Sequence, residues 1–550
     1  MEDQNPEMKR VTGSKTVLGL DVGTTTIKAI VINDNGEILG RSFAKTEALH
    51  PEPHLEEIDY NELWIKVKKV INECRRNAKI FDCDSNELSC MGLCTFRSSF
   101  VTWSKQTGKP FHNIITWKDR RAEHLAKEWD KGIQLRLLRL MSSSAYLLTR
   151  NKVHQLNSNY HIDTTLCNIK LAWALRNIEQ VKKAAQEGDL MFGTLDTWLV
   201  YKLTGELNHV TEAGNVISTG LWDMFTKQYS VRALDYFGIP TTILPNVVDS
   251  GSAKEYGAMQ DRALQDLETS CEIISHVPIT AVMADQGASA FGTGCFDKGD
   301  IKVTLGTGTF VNMNTKEVPH CLFKGLWPLV SWKIKDDVDF FVEGHIYGTT
   351  ASIEWGQHMG FYQHPNETSD IAFASKDIEN LCFVPGFHGL QEPFNDPLAG
   401  GGLIGLKPEH GQKEITRVIL ESIAFGVKAI IERIEEQIDF AKDVREIKVD
   451  GGISNNDFIL QLIADLTGKS VIRMNSPDMS VIGVAFMAGL YSNVWNNKNE
   501  LKDILVSTKS FSASSSSHYL DKIHSRFKFW KKSCRRFADF DSCKAQESNF

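Results

Sequence analysis

The sequence predicts an α/β protein of at least two domains, and three observations carry that reading. The chain has 550 residues, beyond the roughly 250–300 at which a single hydrophobic core stops growing. Its first structured stretch reads as strand, tight turn, strand, hairpin, helix, strand. A similar opening returns near residue 301, so the two halves look related.

The elements follow in order. Val17 to Asp21 is a short apolar strand, Gly23-Thr24-Thr25-Thr26 a turn, and Ile27 to Asn33 a second strand. Asp34-Asn35-Gly36 then supplies tight-turn chemistry into a third strand. Over Asn61 to Asn77, the apolar residues Leu63, Val67, Val70, Ile71 and Cys74 recur at helical spacing. Leu88 to Phe96 is an apolar run that reads as a buried strand. In the second half, Ile301 to Leu305, Gly306-Thr307-Gly308-Thr309 and Phe310 to Met313 repeat the hairpin. Thr416 to Gln437 reads as a long helix and Val444 to Val449 as a strand. Asn456 to Gly468 reads as a helix launched from Asp450-Gly451-Gly452, with Asn456 in its first turn. The expected organisation is a polar tail over 1–15, domains over 16–292 and 293–506, and a Ser-rich segment with a terminal helix over 507–550. That amphipathic terminal segment suits either a membrane or partner helix or a solvated helix with one apolar face.

Composition narrows the function. A net charge of −8 with no long basic stripe before Lys528 disfavours nucleic-acid binding. The first fifteen residues lack the apolar core of a signal peptide, and no run of about 18 apolar residues is free of charge. A soluble cytoplasmic protein without a membrane segment is expected. The 11 cysteines show no Cys-x2-Cys pair, so reduced, buried thiols are expected in place of a structural metal.

Candidate chemistry sits at the turns. Gly23 to Thr26, between two strands, is either an ordinary β-turn or a cradle whose amides and hydroxyls wrap phosphate oxygens. Asp21, ending the strand before it, is placed to hold Mg²⁺, which favours a carboxylate together with phosphates and water. Gly306 to Thr309 repeats the chemistry, and two such clamps facing one cleft would grip a nucleoside triphosphate from both sides. Asp450-Gly451-Gly452 is either a C-cap and turn or a third close backbone approach, suited to an adenine or ribose. Asp285 follows the apolar run Ile279 to Met283 near the junction of the halves. It is either a helix cap or a carboxylate that accepts the proton of an attacking hydroxyl.

These pieces occur together with Leu20-Asp21-Val22-Gly23-Thr24-Thr25, Trp117-Lys118-Asp119-Arg120-Arg121, Gly193-Thr194-Leu195-Asp196-Thr197-Trp198-Leu199, Ala284-Asp285-Gln286, Gly306 to Phe310, Gly389-Leu390-Gln391-Glu392-Pro393 and Val449-Asp450-Gly451-Gly452. In that order, over about Val17 to Leu490, the chain resembles the FGGY carbohydrate kinases and, within them, the glycerol kinases. The resemblance implies a duplicated actin-like (ribonuclease H-like) fold of two domains flanking an ATP cleft. It implies Mg-ATP as phosphoryl donor, a small polyol as acceptor with glycerol leading, and a homo-oligomer as a possible assembly.

Carried over by position, Thr24, Thr25, Thr26, Lys28 and Thr307 would contact the phosphates, Thr350 and Glu354 the nucleotide pocket, and Gly452 and Asn456 the adenosine. Asp285 would be the general base. Arg97, Asp285 and Gln286 would bind the hydroxyls, with Trp117 and Phe310 against the carbon skeleton; on residue type alone, Arg97 also suits an ion pair and the two rings a core. Two positions depart from the family pattern. Ser98 stands where a glycerol kinase has Glu, as in a divergent animal branch that also carries a small residue there, and Thr165 stands where the family has a substrate-binding Tyr. A site missing hydroxyl partners loses about 1–3 kcal/mol for each. The resemblance therefore also admits another sugar or polyol as substrate, or a nucleotide-binding regulatory protein with weak catalysis.

Overall fold

Two β-sheets built on one plan organise the chain. The computed structural model describes residues 15–78, 88–264, 276–320, 325–375, 378–387, 389–505 and 507–538, so nearly all of the expected polar tail lies outside the described residues. The first sheet uses β1 (Thr16–Val22), β2 (Thr26–Asn33), β3 (Ile38–Lys45), β4 (Leu88–Thr95), β5 (Ala258–Gln260) and β6 (His276–Ala284), in the spatial order β5-β6-β4-β1-β2-β3. β1, β4 and β6 run parallel, while β2 and β3 fold back as a meander. Every residue of β1 is buried, as expected of a central strand covered on both faces. Helix α1 (Tyr60–Asn77) begins where the Asp59 carboxylate accepts the Glu62 amide, and it buries Leu63, Val67, Val70, Ile71 and Cys74, the predicted face. A small four-stranded sheet takes one strand, 57–58, from before α1 and three, 100–104, 114–115 and 190–194, from between β4 and β5, where several helices also lie, among them α2 (Ile133–Thr149).

Helix α3 (Asp285–Gly292) leaves the end of β6 directly. The second sheet comprises β7 (Ile301–Leu305), β8 (Thr309–Lys316), β9 (Trp327–Ile334), β10 (Asp337–Ile346), β11 (Glu446–Asp450), β12 (Ser470–Met474) and β13 (Ser507–Phe511). Its order is β9-β10-β8-β7-β11-β12-β13, with β7, β11 and β12 parallel and β7–β8 an antiparallel hairpin. The expected second α/β half is therefore present, with α4 (Thr349–His358), α5 (Gln412–Gln437), α6 (Asp457–Thr467), α7 (Met479–Tyr491) and α8 (Ser517–Arg536) around it. The long helix α5 starts four residues before its expected beginning because the Glu414 carboxylate reaches back and accepts the Gly411 amide at 2.9 Å, capping the helix start. In α8, Ile523, Phe527, Trp530 and Cys534 are buried, and Phe527 and Trp530 pack on Phe425 of α5.

Helix α7 follows the second half's β12 in sequence yet lies on β1, β4 and β6 of the first sheet. It crosses α3 at glycines. A Cβ on Gly483 would fall 1.8 Å from the Ala288 carbonyl, and one on Gly292 would fall 2.1 Å from that of Met479. Only hydrogen at these positions allows the two backbones to meet. The core there mixes Val17, Cys90, Cys94, Met283 and Phe291 with Val481, Val484 and Phe486.

Candidate active site

Strand register assembles the site. In the first sheet Asp21 pairs with Cys94 and Val22 with Thr95, while Met283 and Ala284 pair with the same two residues from the other side. Three parallel strands thus end level, and they are followed by Gly23, by Phe96-Arg97 and by Asp285. Ligands of open α/β sheets bind at such carboxyl ends. In the second sheet Thr304 pairs with Asp450, which brings the turns Gly306 to Thr309 and Gly451-Gly452 together.

The two glycine-threonine turns meet: Thr25 Oγ1 and Thr307 Oγ1 lie 3.3 Å apart across 282 residues of sequence. Each turn is closed by its own backbone, Gly23 N donating to Thr26 O and Gly306 N to Gly308 O, both at 3.0 Å. A Cβ on Gly452 would meet nothing within 4 Å and one on Gly306 only the Gly308 carbonyl at 3.8 Å, so these backbones can be approached closely. Gly451 is required for another reason, since its φ of +89° and the Leu305 carbonyl, 2.4 Å from a Cβ, exclude other residues. Behind the second turn stands the first turn of α4, where the Thr350 hydroxyl donates to Gly306 O at 2.9 Å. Thr350 therefore props the turn. Glu354, one helical turn further on, is exposed.

Asp21 receives the Ser480 hydroxyl on Oδ2 at 2.6 Å, while its Oδ1 is buried with no partner. Burial is the main cause that raises its pKa to about 6, against the opposing Ser480 bond and Lys28 charge. An orphaned buried carboxylate oxygen beside a phosphate-type turn fits a hydrated Mg²⁺, which needs one or two protein carboxylates rather than a cage. Lys28 lies alongside, paired with Asp478 at 2.5 Å.

Asp285 begins α3. Its side chain is 30% exposed, which leaves the carboxylate open to an incoming hydroxyl, and Arg97 Nε lies 3.3 Å away. Burial raises the Asp285 pKa, and the Arg97 charge opposes the shift. The same arginine points Nη2 at both oxygens of Glu343 on β10, at 2.8 and 2.9 Å. Asn312 of β8 donates to that carboxylate at 2.7 Å. Burial would raise the Glu343 pKa, but Arg97 and Asn312 together hold it below the ordinary value. Gln286 has its carboxamide oxygen held by the buried Lys302 ammonium at 2.6 Å, so its nitrogen is the end that remains to donate. Lys302 also donates to Thr304, Thr304 to Asp450 and, from α3, Ser289 to Asp450, at 2.6–2.7 Å. This buried chain joins the Asp285–Gln286 corner to the glycine turn of β11.

The rings line up beside it. Trp117 packs on Tyr347 with centroids 5.3 Å apart, Tyr347 on His345 at 4.5 Å, and His345 stacks on Phe310 at 6.0 Å. Both expected rings are half-buried rather than in the core.

The residues expected from sequence are not all placed as read. Thr24, Thr25, Thr26 and Lys28 lie on the first turn and strand, Thr307 on the second, and Arg97, Asp285 and Gln286 together. Ser98 takes a left-handed φ of 60° and bonds Ser218 through both its amide and its hydroxyl. Thr165 gives its amide and hydroxyl to Asp163 in its own turn. Asn456 is a correction: a short 3-10 turn, Gly452–Asn455, intervenes, so Asn456 caps α6 instead of lying in its first turn. Its Oδ1 accepts the Ile459 amide at 3.1 Å and its Nδ2 donates to Thr368 at 2.9 Å. Glu343, Asn312, Lys302 and Tyr347 were not anticipated. The one sequence signal for Glu343 is a carboxylate that directly follows the apolar run Phe340–Val342.

The comparisons with known proteins show the family and the fold. The sequence profile of the FGGY family of carbohydrate kinases, N-terminal domain, matches residues 16–292, and that of the C-terminal domain matches 301–491. The chain is 39% identical over 497 residues to "Glycerol kinase 5" of Danio rerio, covering 90% of each chain, and 36% identical to that of Homo sapiens over 489 residues, covering 89% of each. It superposes on the crystal structure of Plasmodium falciparum glycerol kinase with ADP at a TM-score of 0.83 and 23% identity, covering 95% of this chain and 98% of that one.

Proposed function

The chain belongs to the FGGY family of carbohydrate kinases, and from that premise we propose that it transfers the γ-phosphoryl group of ATP to glycerol, giving sn-glycerol 3-phosphate. It is a kinase by family, and the choice of acceptor is supported by relatives named as glycerol kinases over nine-tenths of its length. The observation that carries the reaction is the meeting of both phosphate-type turns at Thr25 and Thr307, with the solvent-open Asp285 carboxylate at a strand end of the first turn's sheet.

Phosphoryl transfer asks the protein mainly to position and to neutralise charge. The amides and hydroxyls of Gly23 to Thr26 and Gly306 to Thr309, with Lys28, hold the phosphates; Thr350, Glu354 and Gly452 border the nucleotide. Asn456 acts through its cap on α6, which fixes the wall beside Gly452. Mg²⁺, when bound, would neutralise charge between the phosphates, and Asp21 with its vacant Oδ1 is the residue to hold it.

On the acceptor side, Arg97 and the Gln286 amide orient two hydroxyls while Trp117 and Phe310 cover the carbon chain. Asp285 Oδ accepts the proton of the attacking primary hydroxyl as its oxygen bonds to the γ-phosphorus and the bond to the β–γ bridging oxygen breaks. Ser98 and Thr165 leave this pocket short of a carboxylate and a phenol. Glu343 and Tyr347, from the opposite domain, place the same two groups against Arg97 and Trp117, so the substrate pocket is completed only when the two halves are together. The seven described cysteines that are free and buried support a reducing, cytoplasmic compartment.

ADP release measured with ATP and a panel of polyols and ketoses tests the proposal. Stimulation by glycerol above the other acceptors is expected. Stimulation by another acceptor alone would move the substrate, and none at all, with ATP still bound, would make the protein a nucleotide-binding regulator.

A further inference from the structure

Helix α2 is built inside out. Its buried residues are Leu135 and Ser142, whereas Ile133, Leu137, Leu140, Met141, Leu147 and Leu148 are exposed, Ile133 by 77% and Leu148 by 86%. At 100° per residue these six fall on one face, opposite Leu135 and Ser142, interrupted only by Ser144. The result is an apolar stripe about 25 Å long pointing into solvent. Continuous exposed apolar surface of this kind marks an interaction site in a soluble chain.

Charge selects the partner. From 131 to 162 the sequence has no Asp or Glu and five Lys or Arg, in a chain of net charge −8. The bordering carboxylate, Asp130, is already taken by Arg139 and by His161. Arg136 flanks the stripe on one side, and Lys131 precedes the helix. Two copies of this face brought together would oppose like charges. A basic amphipathic helix with leucines outward suits an anionic bilayer surface instead, lying in the headgroup region. Its 17 residues include two arginines, and among the described residues no helix is long and apolar enough to cross a membrane.

We infer that α2 docks the protein on anionic lipid membranes, with its leucine stripe in the interface and the exposed Lys131 and Arg136 on the headgroups. The full chain should co-sediment with vesicles of phosphatidylcholine and phosphatidylserine, bind phosphatidylcholine vesicles weakly, and be partly released by salt. The double variant Leu140→Glu/Leu147→Glu should lose affinity roughly tenfold for each leucine. Arg136→Glu should weaken binding to the anionic vesicles only. Both variants alter exposed residues away from the cleft, so ATP turnover in solution should be unchanged and reports that they fold. Absence of binding to anionic vesicles, or undiminished binding by the leucine variant, overturns the proposal. A dimer in light scattering that the leucine variant disperses, without vesicle binding, assigns the face to a second copy and likewise overturns it.

Discussion

The two sheets share a plan but end their strands differently. Parallel strands of the first sheet run out into Asp21, Arg97 and Asp285, charged groups that can hold a cation, orient a hydroxyl or take a proton. Those of the second run out into Gly306-Thr307 and Gly451-Gly452, which offer backbone amides and a threonine hydroxyl but no charge. One half therefore supplies reactive chemistry and the other grips. The chief exception is Glu343, which, on a strand of the gripping half, reaches the arginine of the reactive half; Lys302 likewise reaches Gln286.

The sharpest way to break this contrast is Asp285→Asn. It should lower kcat about 10²–10⁴-fold, the range for a lost general base, while ATP affinity stays near wild type in a binding titration. Full turnover in that variant would end the assignment. Asp21→Asn comes next, with turnover falling by about two orders of magnitude through weaker metal and phosphate handling. It carries a second signature in stability. Solvated aspartate ionises near 3.8 and Asp21 near 6, so between those values the folded protein keeps a proton that the unfolded chain has released. The contribution of Asp21 to stability thus falls as pH rises from about 4 to 6. Relative to wild type, nucleotide-free Asp21→Asn should gain stability over that window, by at most roughly 3 kcal/mol. A melting-temperature difference that does not change with pH would refute the buried carboxylate.

Glu343→Gln tests the exception. It leaves Arg97 buried beside a neutral partner, a loss of about 1–3 kcal/mol, and should raise KM for the polyol roughly 10- to 100-fold with KM for ATP little changed. An equal rise for both substrates would mean that Glu343 merely holds the domains. The smallest effect belongs to the pair Ser98→Glu/Thr165→Tyr, which restores the family's residues. It should lower KM for glycerol several-fold, about 1 kcal/mol, and the gain should be larger in a Glu343→Gln background if the two carboxylates do the same task.

Much of this was legible in sequence, for local reasons. A glycine-threonine turn between apolar β-branched runs specifies a hairpin without help from the rest of the chain, and Asp285 stands out because it closes an apolar strand. Glu343 was not legible because its meaning is a partner 246 residues away, and nothing next to it signals that pairing. Lys302 resembles any lysine in a strand until the fold buries it against Gln286. The start of α6 was misplaced because Asp450-Gly451-Gly452 reads as a launch point, whereas the chain spends Gly452–Asn455 in a 3-10 turn before Asn456 can cap the helix.

The crossing of α7 over the first sheet bears on how the protein can be divided. Residues up to Gly292 hold all six strands of that sheet, but the layer covering Val17, Cys90 and Met283 arrives nearly two hundred residues later. A fragment ending there would present bare strand faces and the naked glycine seam of α3, and it should aggregate unless the missing helix is added back. During synthesis the first half must therefore wait, incompletely covered, until almost the whole second half has emerged.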